Sequence, residues 1–265
     1  MLSVDLAGIG VWGDRFGDWA EFCSAIGGGA GASGPKLYAD LLAARERRRA
    51  STFVKIAITV MDQACAMAEF DRSSVATVFG SAMGDVQIMD YMCGTLAAAP
   101  RTISPTRFHN SVHNAPTAYW SIATGSNSPS NAVSGHNHSS TVALLEGAAQ
   151  AVAEEIPVVV AAQELATTGA LRSVRRIDES LAVALLLVPR GRAAAPFGAL
   201  MLEVVDADPP ARSAGPPRAP GPAGNYTAEL LDLLLAVAAR EDSRLGLPLS
   251  PGTELAVTYR AGPGP

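Results

Sequence analysis

The sequence has few of the features that mark disulfide-rich, metal-binding or nucleic-acid-binding proteins. Three of its 265 residues are cysteines, Cys23, Cys65 and Cys93, and their spacing suits neither a disulfide framework nor a zinc site. They are predicted to be free, buried and reduced thiols in a cytoplasmic protein. Lysine and arginine number 20 against 25 aspartates and glutamates, a net charge of −5. That balance argues against nucleic-acid binding, which usually needs a basic face.

Long hydrophobic runs are missing as well. The longest, LAVALLLVP at 181–189, is too short to cross a bilayer as a helix. The first residues, MLSVDLAGIG, carry no positive charge before their apolar part and are typical of a strand rather than a signal peptide. The sequence thus predicts no association with a membrane.

Helix-like and strand-like segments alternate along the chain. PVVVAAQE (157–164) and SLAVALLLVPR (180–190) are apolar runs typical of fully buried strands, and SVATVFGS (74–81) is rich in β-branched residues. TFVKIAITVMDQACAMAEF (52–70) predicts a buried helix, and TVALLEGAAQAVAEE (141–155) predicts another. This order predicts a layered α/β fold.

A proline-rich segment divides the chain. Residues 208–224 contain six prolines and almost nothing able to pack, which predicts a linker. We therefore divide the chain into a main domain (1–207), this linker, and a short segment (225–265) that packs on the same domain. The last segment is predicted to hold one amphipathic helix over 225–246 and one strand, TELAVTYR.

All four histidines fall within one window of 30 residues. They are His109, His113, His136 and His138. The first two are four residues apart and would share one face of a helix, so a metal site and a catalytic base are both conceivable. No aspartate or glutamate lies between Asp90 and Glu146 to support a metal. We therefore favour a structural cluster of hydrogen-bonded histidines and expect no metal.

The stretch SGHNHSS (134–140) lies between a strand-like and a helix-like segment, where active sites often occur. A serine hydrolase turn reads G-x-S-x-G, but here Asn137 stands in the central position. An amide is not a useful nucleophile, and Ser139 and Ser140 come too late in the turn. We therefore predict no catalytic nucleophile. Elsewhere, RERRR (45–49) is either a solvated helix end or a surface for an acidic partner such as a carrier protein.

Several motifs resemble, in order, the N-terminal half of β-ketoacyl synthases. They are VATVFGSAMGD, ISPTRFHNSVHNAPTAYWSIATG (103–125) and SNSPSNAVSGHNHSSTVALLEGAAQAV. The 103–125 stretch is similar to the β-ketoacyl synthase chain length factors of aryl polyene and highly reducing type II polyketide systems. The resemblance implies a thiolase-like layered α/β/α fold with a truncated second half.

The resemblance also implies a non-catalytic subunit without a cofactor. The cysteine nucleophile of active synthases would fall at Asn137, and the two catalytic histidines of their second half are missing, because no histidine follows His138. Such a chain would pair with a catalytic β-ketoacyl synthase, meet the acyl carrier protein through that complex, and shape the tunnel in which the acyl chain grows.

The floor of that tunnel would set the chain length. Each added CH₂-sized group gains about 0.8 kcal/mol by burial, and a bulky side chain ends that gain. Phe108, Val112 and Tyr119 are spaced to share one helical stripe, and Met92 precedes them, so these four are the candidates. Alternatively, they are ordinary core or interface residues.

Three other functions stay open at this point. The chain could be a metal-dependent hydrolase that uses the four histidines, or a malonyl decarboxylase that uses the amide of Asn137. It could also be an inert homo-oligomeric scaffold.

Overall fold

A mixed sheet of eight strands forms the centre of the computed structural model, which describes residues 1–28, 35–37, 39–100, 102–194, 196–207, 222 and 224–263. The strands are β1 (Leu2–Gly13), β2 (Ala76–Gly80), β3 (Ser130–Val133), β4 (Val158–Glu164), β5 (Leu181–Pro189), β6 (Gly198–Asp206), β7 (Ser243–Ser250) and β8 (Thr253–Ala261). Their order is β3-β2-β4-β5-β1-β6-β8-β7. β2 runs parallel to β3 and β4, whereas β5 runs antiparallel to its neighbours β4 and β1. Most of the predicted linker, all but residues 222 and 224, lies outside the described residues.

Helices cover both faces of the sheet. They are α1 (Trp19–Ile26), α2 (Ala44–Arg49), α3 (Thr52–Met67), α4 (Val86–Ala97), α5 (Pro105–His109), α6 (Ala115–Thr124), α7 (Ser139–Ala153), α8 (Leu171–Val174) and α9 (Leu231–Ala239). One core cluster joins the sheet to α3, α4 and α6, and the other joins it to α1, α7 and α9. The predicted α/β/α layering is therefore confirmed. No helix in the described ranges is long and apolar enough to cross a membrane.

The apolar sequence of β5 explains the two layers. Leu181, Val183 and Leu185 face the α7 side of the sheet, whereas Ala184 and Leu186 face the α3 side. Successive side chains of a strand point to opposite faces, so a strand covered on both sides needs an unbroken apolar run. The prediction of buried strands at 157–164 and 180–190 is confirmed.

Two glycines let α3 lie directly on β1. A Cβ at Gly8 would collide with the carbonyl oxygen of Ala64, and a Cβ at Gly10 would collide with that of Val60. The helix backbone therefore occupies the space that side chains would fill elsewhere on the strand.

The segment after the linker differs from the prediction of one helix and one strand. A 3₁₀ turn (Tyr226–Leu230) precedes α9, which ends where Arg240 adopts a left-handed conformation with φ 55°. The N–H of Glu241 then donates to the carbonyl of Ala236 at 3.1 Å, which satisfies a free carbonyl at the helix end. The helix thus stops before 246, and the residues that follow form β7. β8 pairs with β6, so the segment extends the same sheet.

The segment 107–125 contains a break. α5 ends at His109 and α6 begins at Ala115, with Pro116 in its first turn. A proline fits the first turn of a helix but not its interior, so a new helix begins just before Pro116. The expectation that His109 and His113 share one helical face is wrong, because His113 lies between the two helices.

Candidate functional site

The turn between β3 and α7 holds the polar residues singled out in the sequence. His136 has a left-handed backbone with φ 55°, which is unfavourable for a side chain larger than glycine. Ser139 fixes this conformation, because its Oγ accepts from the N–H of Gly135 at 3.0 Å and donates to the carbonyl of His136 at 2.7 Å. The turn is therefore held rigidly at the start of α7.

Residues from the C-terminal segment bind one side of this turn. Nδ1 of His138 lies 2.7 Å from Oε1 of Glu229. The other oxygen of Glu229 accepts from the hydroxyl of Thr141 at 3.0 Å and from that of Ser140 at 3.4 Å. The side chain of Glu229 is 15% exposed, so these bonds form in a largely dry environment. They connect the C-terminal segment to the first turn of α7.

Arg175, from the connection between β4 and β5, binds the other side. Its guanidinium donates to the hydroxyl of Tyr226 at 2.6 Å and lies 3.2 Å from Nε2 of His136. Because a guanidinium only donates hydrogen bonds, Nε2 of His136 is the acceptor in this contact. Both histidines of the turn are thus held by side chains from distant parts of the sequence.

Asn137 lies between these two histidines and is half-buried. Its side-chain amide makes no hydrogen bond within the described part of the chain. An amide in this place can donate and accept hydrogen bonds, but it cannot attack a thioester as a thiolate does.

The other two histidines occupy different surroundings. Nε2 of His113 donates to the carbonyl of Ser81 at 3.0 Å, and its ring lies 5.9 Å from that of Phe79. The ring of His109 meets that of Tyr119 edge-on at 6.1 Å. Across the described ranges, no three histidine, cysteine, aspartate or glutamate side chains are grouped to hold a metal ion. The four histidines accordingly offer the metal-hydrolase alternative no ligand set there.

A buried carboxyl group lies at the end of β4. Glu164 is 1% exposed and accepts hydrogen bonds from the hydroxyl of Ser81 at 3.1 Å and from the backbone N–H groups of Ala82 and Met83. Burial raises the pKa of the Glu164 carboxyl to about 7. Glu164 therefore holds the loop that joins β2 to α4.

The three tunnel candidates expected on one helical stripe, Phe108, Val112 and Tyr119, do not share one. Phe108 on α5 is 58% exposed and Val112 in the break is 51% exposed, whereas Tyr119 on α6 is buried in the core. Met92 on α4 is half-buried. The break between α5 and α6 interrupts the helical spacing on which a shared stripe of Phe108, Val112 and Tyr119 depended.

The cysteines also differ from the sequence expectation. All three are free, but only Cys65 is buried, while Cys23 is half-buried and Cys93 is exposed. The expectation of three buried thiols is therefore wrong for two of them.

Comparison of the sequence with profiles of known protein families gives a match over most of the chain. The family profile described as beta-ketoacyl synthase, N-terminal domain, matches residues 19–219. The chain belongs to the beta-ketoacyl synthase family. A search of curated protein sequences finds no match.

Solved structures share the thiolase-like fold of this beta-ketoacyl synthase family member. One is the ketosynthase ApeO in complex with its chain length factor ApeC from Xenorhabdus doucetiae, with TM-score 0.70, 19% identity, and coverage of 97% of this chain and 100% of that chain. A second is the ishigamide ketosynthase/chain length factor, with TM-score 0.76, 13% identity, and coverage of 98% of this chain and 99% of that chain. A third is AntDE:AntF, a type II polyketide synthase acyl carrier protein in complex with its ketosynthase bound to the hexaketide, with TM-score 0.73, 14% identity and coverage of 98% and 100%.

Sequence reasoning missed several residues that build this site. Arg175, Tyr226 and Glu229 come from segments far from the turn, and no local pattern connects them to it. Glu164 does have a signal, because a carboxylate at the end of a largely apolar strand is costly to bury unless it has a structural task.

Proposed function

We propose that this chain is a chain length factor, a subunit without condensing activity that pairs with a cysteine-bearing β-ketoacyl synthase in the cytoplasm. Two of the solved structures that share its fold are ketosynthase complexes with a chain length factor. The alignments cover nearly the whole of this chain and of each matched chain, which supports a shared subunit size.

The turn before α7 carries the proposal. By resemblance to active synthases, Asn137 stands where they have cysteine. The adjacent His136 and His138 are already bound to Arg175 and Glu229. The turn therefore lacks a thiol that could carry an acyl group, and one ring nitrogen of each histidine is occupied by a structural contact.

The surface formed by α5, the break after it and α6 suits a protein partner. Phe108, Val112 and Ile122 are 58%, 51% and 66% exposed, and all three come from one short segment. Large apolar side chains that are exposed together mark interaction sites. We propose that the partner synthase covers this side of the molecule.

The two edges of the sheet differ in their capacity to pair with another chain. β3 is an edge strand with a polar, exposed first half, and one of its backbone groups, the N–H of Ala132, donates to the side chain of Asn131 at 3.0 Å. The opposite edge strand, β7, contains Pro248 and an irregularity after it. Proline and bulges at an edge prevent pairing with another chain, so β3 is the better site for association.

Chain-length control is the more specific part of the proposal. Phe108, Val112 and Met92 are accessible enough to line a tunnel that closes against the partner. Tyr119 is buried in the core and would act only by supporting its neighbours. A larger side chain at the floor would remove about 0.8 kcal/mol of burial for each excluded CH₂ group.

The basic end of α2 offers a contact for the acyl carrier protein within the complex. Arg45, Arg48 and Arg49 are exposed, whereas Arg47 is paired with Asp40 at 2.5 Å. Several exposed guanidinium groups on one short helix would attract an acidic partner.

Co-expression with a cysteine-bearing synthase tests the proposal. The two proteins should co-purify, and Val112→Trp should shorten the products while Phe108→Ala lengthens them. Val174→Trp is the matched control, because Val174 is 77% exposed on α8, and it should leave the products unchanged.

Two results would contradict this function. One is a product distribution that stays the same in both tunnel variants although the complex forms. The other is a stable homodimer by light scattering that ignores the synthase, which would favour the scaffold alternative.

A further inference from the structure

A cavity of about 400 Å³ lies where β1 ends and β5 begins. Its walls come from the turn after β1, from α1, from the start of β5 and from α9. The apolar residues that line it include Phe16, Phe22, Ile26, Leu181, Leu231 and Leu235. Cavities of this size and apolar character commonly bind small molecules.

The apolar walls determine what part of a ligand could enter. The rings of Phe16 and Phe22 meet edge-to-face at 5.2 Å, and Leu181 and Leu231 are almost fully buried. These side chains offer no hydrogen bonds, so a polar group placed among them would lose its bonds to water without compensation. The buried part of a ligand must therefore be hydrocarbon.

The rim of the cavity is polar, and its charges are unequal. The polar residues of the described lining are Asp14, Arg15, Glu179 and Ser180. Nε of Arg15 lies 3.4 Å from a carboxylate oxygen of Glu179, and the carboxylate of Asp14 accepts from the N–H of Ser180 at 3.0 Å. The guanidinium is thus matched by Glu179, and among these rim residues Asp14 leaves one excess negative charge. A ligand carboxylate at this rim would be repelled.

We propose that this cavity binds the hydrocarbon chain of an uncharged single-chain amphiphile, one that ends in a hydroxyl, ester, thioester or amide, and discriminates against a free carboxylate. The cavity shares no described lining residue with the proposed partner surface on α5 and α6. This inference therefore stands independently of the chain-length function.

Calorimetric titration of the full chain with decanol and with decanoate tests the site. The two probes have the same chain length and differ in charge at the head. We expect saturable binding of decanol that is at least tenfold tighter than that of decanoate. The ring of Trp19 stacks on that of Phe22 at 5.4 Å, so decanol should also change the tryptophan fluorescence.

Substitutions in two different wall elements, α9 and α1, locate the binding. Leu235→Trp and Ile26→Trp each fill the cavity and should weaken decanol binding at least tenfold. Ile26 is 44% exposed, so its variant should fold even if the other does not. Val204→Trp, at a 52% exposed position on β6 outside the cavity, is the matched control and should bind like the wild type.

Glu179→Gln tests the role of the rim charge. It removes one negative charge and frees Arg15, so decanoate should gain affinity relative to decanol. An unchanged ratio would overturn the charge selectivity. The site itself would be overturned if decanol did not bind saturably, or if both wall variants bound decanol with wild-type affinity. Failure of the chain to bind a synthase would contradict only the proposed function.

Discussion

Replacing Glu164 with glutamine should make the stability of this protein less dependent on pH. Burial raises the pKa of the Glu164 carboxyl from 4.5 to about 7. Because the folded-state pKa is the higher one, the folded chain keeps a proton that the unfolded chain has already lost. The stability contributed by this group is therefore complete below about pH 4.5, falls as the pH rises toward 7, and is constant above that range.

The size of the effect follows from the shift. One pKa unit corresponds to about 1.4 kcal/mol, so the free energy of unfolding should fall by about 3 kcal/mol over this range because of Glu164 alone. Glutamine has no proton to lose, and it keeps an oxygen that can accept from the loop after β2. The variant should therefore lack this part of the pH dependence.

Urea unfolding between about pH 5 and pH 8 measures the effect. The wild type should lose stability relative to Glu164→Gln by about 2.5 kcal/mol across this range, because a small part of the loss already occurs below about pH 5. Glu241→Gln is the control, because Glu241 is exposed, and its difference from the wild type should not depend on pH in this way. If the difference between the wild type and Glu164→Gln stays constant from about pH 5 to pH 8, the reasoning about the buried carboxyl is refuted.

Three further substitutions give distinct outcomes. Glu229→Ala should lower the free energy of unfolding in urea by about 2 kcal/mol, because a largely buried acceptor of several hydrogen bonds is lost. The control Glu241→Ala should change it by less than about 0.5 kcal/mol. Equal effects of the two substitutions would show that the Glu229 contacts contribute nothing to stability. Gly10→Ala should prevent α3 from lying on β1 and greatly reduce the melting temperature, and a melting temperature like that of the wild type would contradict the close approach to Val60. Asn137→Cys should not create condensing activity in the isolated chain, because no histidine follows this turn in the sequence; elongation of an acyl thioester by that variant would contradict the proposed function.

The sequence determined the layers of the fold because its apolar patterns are local. A run such as that of β5 can be satisfied only between two covered faces, and a proline such as Pro116 can begin a helix but not continue it. The order of the main strands and helices and the break before α6 were therefore predictable from neighbouring residues. The amide at Asn137 was visible in the same way.

The tertiary structure alone decided which residues hold the turn and which side chains stay exposed. Arg175 and Glu229 reach His136 and His138 across 39 and 91 residues, and no spacing in the sequence encodes such contacts. The exposure of Phe108 and the burial of Tyr119 likewise depend on how α5 and α6 pack against the rest of the fold. Local patterns specify elements, and even the hydrogen bonds of Ser139 within the turn are local. Long-range contacts such as those of Arg175 and Glu229 arise only once the elements pack.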